Sequence, residues 1–218
     1  MQKIRWYIAQ FFEKFWWKNY LKKKDTQEYL VWKKEYWRTF LKEINTSLEN
    51  TEAKYLDIGC GPAGTFILSE ETQTYWKALD PLLGDYKKLD VFKEENYPNV
   101  NFVNSNFEDF ESTETFDTIF CINAINHFIN LKENFAKLNK ILSENGTLIL
   151  STDAHNYSFL KWILYSLPLD ILHPHQYTSL EYEKMITENG FEIKTKTLKQ
   201  KQFIFSYYIY SIRKKTIR

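Results

Sequence analysis

The chain has 218 residues, 18% of them aromatic, and a net charge of +1 from 29 Lys/Arg against 28 Asp/Glu. This length can bury a core without disulfide staples, and two cysteines cannot build a disulfide framework. The balanced charge argues against a dedicated nucleic-acid binder. No apolar run approaches a membrane span and no cleavable leader pattern is visible, so a reduced, cytoplasmic setting is expected.

Charge and aromatics are unevenly spread. Residues 1–54 hold 12 Lys/Arg against 7 Asp/Glu, and five of the seven tryptophans (Trp6, Trp16, Trp17, Trp32, Trp37) lie in the first 40 residues. Ile4, Ile8, Phe11, Phe12, Phe15 and Trp16 recur near helical spacing and predict a helix over 3–21. After Lys22-Lys23-Lys24, Asp25 with Glu28 three residues on reads as an N-cap and capping box. Tyr29, Trp32, Tyr36, Trp37, Phe40, Leu41, Ile44 and Leu48 then mark one face of a second amphipathic helix. From Lys54 the pattern changes. Short apolar runs at 55–58, 76–79, 100–103, 118–122 and 147–151 alternate with helical stretches, the clearest at 132–142. Such alternation implies an α/β fold, a doubly wound, mostly parallel sheet with helices on both faces. Residues 156–172 read as helical until Pro168. Thr178 and Glu181 form a capping box opening a helix that stops at Asn189-Gly190. Strands at 191–198 and 203–212 follow, joined so closely that they must pair as an antiparallel hairpin. The expected division is an aromatic, basic helical segment over 1–52 and an α/β domain over 53–218.

Three of the six glycines fall in Asp57-Ile58-Gly59-Cys60-Gly61-Pro62-Ala63-Gly64, directly after the first strand. Gly59 and Gly61 permit a tight turn and close approach of a ligand to the backbone. The loop is expected to enter a helix whose first amides favour an anion. The bare glycine pattern also fits a dinucleotide site. Asp57 separates the two readings, because an acid there repels a pyrophosphate and attracts an ammonium group. Asp80 ends the second strand, where a carboxylate accepts both hydroxyls of a ribose. An acid for an amine, amides for a carboxylate and an acid for a ribose together describe S-adenosylmethionine. Asp57 and the hairpin end of the sheet disfavour a nicotinamide oxidoreductase.

From the first motif, Tyr55-Leu56-Asp57-Ile58-Gly59-Cys60-Gly61-Pro62, the sequence resembles the class I S-adenosylmethionine-dependent methyltransferases of the small-molecule type, over roughly residues 53–213. The resemblance implies a Rossmann-like sheet of seven strands, the last antiparallel, and S-adenosyl-L-homocysteine as product. It places Gly59, Cys60, Gly61 and Pro62 at the methionine part of the cofactor, and Asp80 with Pro81 at the ribose. Asn106, where the family commonly has Asp, and Phe107 fall near the adenine. In the fourth motif, Asn123, Ala124 and His127 fall where cofactor and substrate meet.

Methyl transfer needs alignment above all, and a base only when the acceptor must lose a proton. His127 follows the fourth strand and is one candidate base or substrate contact. His155, after the fifth strand, is a candidate substrate contact. His173-Pro174-His175-Gln176-Tyr177 resembles a segment near the substrate pocket of the family, which makes His175 a second candidate base and His173 and Tyr177 candidate substrate contacts. No metal-ligand spacing stands out, and Cys60 and Cys121 read as small packing residues.

For the N-terminal helices three roles remain open: a lid whose aromatics, Trp16 and Trp17 among them, line an acceptor pocket; a membrane-surface anchor; or a surface docked on the sheet or on a second copy. The apolar stretch at 159–165 is a candidate second wall. The expected function is methyl transfer to a small, partly hydrophobic or aromatic molecule, in a monomer or homodimer that binds no nucleic acid. The alternative is a non-catalytic cofactor-binding or partner-interaction module that uses the aromatic helices.

Overall fold

The computed structural model describes residues 2–157 and 177–216. In chain order these form α1 (Gln2–Leu21), α2 (Thr26–Glu43), β1 (Lys54–Ile58), α3 (Ser69–Thr72), β2 (Tyr75–Leu79), α4 (Leu83–Tyr86), β3 (Val100–Val103), β4 (Phe116–Cys121), α5 (Leu131–Ile141), β5 (Leu142–His155), α6 (Ser179–Glu188), β6 (Phe191–Lys201) and β7 (Phe205–Lys214). The seven strands make one sheet in the order β3-β2-β1-β4-β5-β7-β6. Strands β1 to β5 run parallel, and β7 pairs antiparallel with both β5 and β6. The short polar connection after β6 therefore closes a hairpin, as the sequence requires.

The central strands are buried on both faces, which is why they read as near-continuous apolar runs. On one face Tyr55, Trp76 and Phe120 stack in a row, with ring centroids 4.7 and 5.8 Å apart. This cluster extends into α2 through Tyr29, Trp37, Phe40 and Leu41. On the other face Leu56, Ile119 and Leu148 meet Phe135, Leu138 and Ile141 of α5 and Tyr182 and Ile186 of α6. Burial of each such side chain contributes about 1.5–3 kcal/mol, so both layers are needed to offset chain entropy.

Of the two expected capping boxes, the one at Thr178 forms in full and the one at Asp25 as an N-cap alone. Asp25 accepts from the Glu28 N–H at 2.9 Å, and Thr178 with Glu181 closes a full capping box. Asn189 ends α6, and Gly190 takes φ 81°. Strand β5 is longer than its apolar run predicts. Leu142 pairs with Phe116, then Thr147 with Thr118, so residues 143–146 bulge out of the ladder. Their polar residues read as a loop because a bulge leaves them unpaired. The predicted helix at 156–172 lies outside the described residues, apart from its first two positions.

Candidate functional site

In an open α/β sheet, ligands bind beyond the strand C-termini where the strand order reverses. Here that point lies between β1 and β4. Gly59 follows β1 with φ 65°, and a Cβ there would come within 2.5 Å of the Ala124 Cβ. The glycine is thus required both by backbone conformation and by the approach of the loop after β4. Gly64 is required by packing alone, since a Cβ would sit 2.5 Å from Asp57 Oδ2.

Beyond these strand ends runs a cleft with two compartments. The larger, of about 540 Å³, is lined by the glycine loop, Asp57, Asn123, His127 and the aromatics of α1 and α2, including Trp16, Trp17, Tyr29, Trp32 and Trp37. The smaller, of about 60 Å³, is lined by Asp80, Pro81, Asn106, Phe107, Ala124 and Phe128, with Gln10 of α1 above them. Gly59, Asn123, His127 and Glu13 border both.

The two acids hold the backbone of the cleft. Asp57 is buried, and its Oδ2 accepts from the Phe66 N–H at 3.0 Å. Asp80 is buried too, accepting from Gly61 N–H at 3.0 Å and Leu82 N–H at 2.8 Å. Burial raises the pKa of each to about 6, against the pull of these hydrogen bonds. The helix expected after the loop is here a 3-10 turn, Thr65–Leu68, followed by the single turn of α3. Its Phe66 amide already serves Asp57, so it is not the open anion site that a long helix would offer.

A residue that the sequence reading passed over supplies the positive charge. Lys33 lines the large compartment, its Nζ 4.7 Å from the Tyr36 ring centre and 4.6 Å from that of Trp37. Burial lowers its pKa to about 8, with the Asp57 carboxylate opposing the shift. A lysine between Tyr29 and Trp37, four residues from each, interrupts the buried stripe of α2. That interruption was the signal available in the sequence.

Asn123 adopts φ 56°, a left-handed conformation unusual for a residue other than glycine. Ser151 of β5 secures it: the Asn123 N–H donates to Ser151 Oγ at 2.9 Å, and that hydroxyl donates to Asn123 Oδ1 at 3.2 Å. The Tyr207 hydroxyl of β7 donates to the same Oγ at 2.8 Å. Beneath the loop, buried Asn126 accepts from Thr152 at 2.6 Å and Tyr182 at 2.7 Å.

The remaining candidates divide. Cys60 lines the large compartment and Pro62 is buried within the loop. Phe107 stacks on Phe128 at 5.2 Å, walling the small compartment. Asn106 borders it, but its amide is turned onto Asp109, accepting from its N–H at 2.7 Å and donating to its carboxylate at 2.9 Å. His155 is buried against Phe205 with ring centres 4.4 Å apart, and its N–H donates to the Tyr177 carbonyl at 2.9 Å. Tyr177 rests edge-on to Tyr182. Neither His155 nor Tyr177 is among the residues lining the two compartments. His173, His175 and the stretch at 159–165 lie outside the described residues.

The helices are tied to this site. The Trp37 indole N–H donates to the Ala63 carbonyl at 3.0 Å, and Arg38 forks onto Glu71 at 2.7 and 3.1 Å. Lys14 of α1 pairs with Asp85 at 2.7 Å. Among the described residues, no group of three or more His, Cys, Asp or Glu is arranged to hold a metal ion.

The donor set fits S-adenosylmethionine. Buried Asp80 faces a compartment walled by stacked phenylalanines, and Lys33 faces the glycine loop. Gln10 Oε1, buried over the same compartment, has no hydrogen-bond partner among the described residues. Strand order, glycine loop and strand-end acids together define a class I S-adenosylmethionine-dependent methyltransferase fold. A family model described as "Methyltransferase domain" matches residues 29–196, and the chain belongs to that family. The chain is similar to the ubiquinone biosynthesis O-methyltransferase of Rickettsia akari, with 28% identity over 156 residues. That match covers 66% of this chain and only 61% of the relative's length. Two solved structures share the fold. The magnesium protoporphyrin IX methyltransferase of Synechocystis PCC 6803, with bound SAH, has TM-score 0.62 at 17% identity and 94% coverage of each chain. An S-adenosylmethionine-dependent methyltransferase from Clostridium acetobutylicum has TM-score 0.62 at 14% identity, covering 95% of this chain and 99% of its own.

Proposed function

We propose that this protein transfers a methyl group from S-adenosylmethionine to a hydroxyl of a small, partly apolar molecule. The observation that carries the reading is the two-compartment cleft, with a carboxylate-floored end and an aromatic end that meet at Gly59, Asn123 and His127. When bound, the cofactor supplies a methyl group already activated by a positive sulfur, so the chain's task is alignment and exclusion of water. Asp80 would accept the ribose hydroxyls, and the stacked pair of Phe107 and Phe128 would wall the adenine from one side. Gln10 completes that end from above. Lys33 faces the carboxylate of the methionine part, and Asp57 balances the ammonium. Trp16, Trp17 and Trp32 hold the acceptor, whose apolar body suits their rings. His127, bordering both compartments, would take the hydroxyl proton as the oxygen–methyl bond forms and the methyl–sulfur bond breaks, the electron pair staying on the sulfur of S-adenosylhomocysteine. The name of the Rickettsia relative supports an oxygen acceptor.

The test is methyl incorporation from labelled S-adenosylmethionine into a panel of phenols, hydroquinones and amines. Turnover of phenols or hydroquinones is expected, and His127→Gln lowers kcat while leaving cofactor affinity in place. Turnover of amines alone, or cofactor binding without turnover of any acceptor, contradicts the reading.

A further inference from the structure

Helix α1 has two apolar faces. The inner one packs Trp17 and Leu21 against the rest of the protein. The outer one carries Ile8, Phe11, Phe12, Phe15 and Trp16, which recur every three or four residues and so form one stripe. These side chains remain exposed, Phe11 at 67% and Phe15 at 59%. A contiguous apolar stripe facing water marks an interaction surface. Its surroundings are basic. Residues 1–24 contain seven Lys/Arg and one acid, Glu13, which borders the cleft instead. Lys18, Lys22, Lys23 and Lys24 are exposed at the C-terminal end of the stripe.

We propose that the outer face of α1 docks on an anionic phospholipid bilayer. Phe11, Phe12 and Phe15 enter the boundary between headgroups and acyl chains, and the lysines meet the phosphates. Charge selects this occupant over a second copy of the chain. Pairing two such stripes would bring two strongly basic segments together, whereas anionic headgroups neutralise them. Among the described residues no helix is long and apolar enough to cross a membrane, so the contact is with the surface. Trp16 and Trp32 are exposed and also line the large compartment, which sets the mouth of the cleft beside the docking face. An apolar acceptor then enters from the bilayer; this last step rests on the methyl-transfer reading, and the docking does not.

The test is co-sedimentation of the full chain with vesicles of phosphatidylcholine alone or mixed with phosphatidylglycerol. The chain is expected to pellet with the mixed vesicles and to be released by added salt. Phe11→Ser with Phe15→Ser weakens binding by about tenfold or more, and Lys22→Glu with Lys23→Glu does so by a similar factor. Both variants keep the wild-type melting temperature and S-adenosylhomocysteine affinity, because these side chains lie outside core and cleft. A chain that stays in the supernatant with both vesicles overturns the proposal. So does a dimer in light scattering that the phenylalanine variant disperses, without vesicle binding. Vesicle binding by a chain that does not bind S-adenosylhomocysteine overturns the functional reading and leaves the docking standing.

Discussion

At the carboxylate-floored end of the cleft, Gly59, Asp80, Asn106 and Asn123 all lie within three residues of a strand's C-terminal end. At the aromatic end, the wall comes from α1 and α2, far from those strands in sequence. The first end is positioned by the sheet ladder, where each strand fixes its neighbour. The second is positioned by packing, chiefly Trp37 and Phe40 in the core and the Trp37 hydrogen bond to Ala63. Backbone pairing makes a site rigid, and helix docking makes its partner wall adjustable. A cofactor common to a family and an acceptor peculiar to one member suit these two ends.

Variants separate the two ends, beginning with the largest effect. Trp37→Ala removes a buried indole and its hydrogen bond from under the aromatic wall. It is expected to cost about 3–5 kcal/mol in urea denaturation. A loss near zero would show α2 to be an appendage and break the comparison. Asp80→Ala acts on the sheet-held end. It is expected to weaken S-adenosylhomocysteine binding by about 1–3 kcal/mol. Unchanged calorimetric affinity would remove Asp80 from the ribose.

The pH profile sharpens the contrast further. On the proposed assignment Asp57 and Asp80, both raised to about 6, serve the cofactor in their ionised forms, so affinity is expected to fall as pH drops through 6. Lys33, near 8, must be protonated, so affinity also falls as pH rises through 8. Binding is therefore strongest between these values; the alkaline limb, with one proton, approaches about tenfold per pH unit, and the acid limb, with two, up to about a hundredfold. Lys33→Met should flatten the alkaline limb alone. A flat wild-type profile from pH 5 to 9, about the span that brackets both groups, would contradict the assignment. The smallest effect is expected at Tyr207→Phe. It removes one hydroxyl from the Ser151–Asn123 bridge and costs about 1 kcal/mol in denaturation.

These two ends also differ in how far the sequence reveals them. The glycine loop, Asp80 and the C-terminal hairpin are legible because their chemistry lies within a few consecutive residues. Lys33 is not, because a lysine on an amphipathic helix ordinarily faces water and only tertiary packing brings the glycine loop and Asp57 to it. Asn106 has the composition of an adenine contact, yet its amide satisfies Asp109 in its own turn, a local alternative open to any Asn. His155 follows a strand as a ligand-facing residue would, but β5 continues far enough to bury it against Phe205. The continuation of β5 past Ser151 is hidden because Thr152 and Asp153 break the apolar run before His155.

The decisive experiment for a cofactor seated on Asp80 is calorimetric titration of the wild-type chain and Asp80→Ala with S-adenosylhomocysteine. Saturable one-to-one binding to the wild type is expected, weakened about fivefold to a hundredfold in the variant. No binding by the wild type, or equal affinity in both, would contradict that assignment.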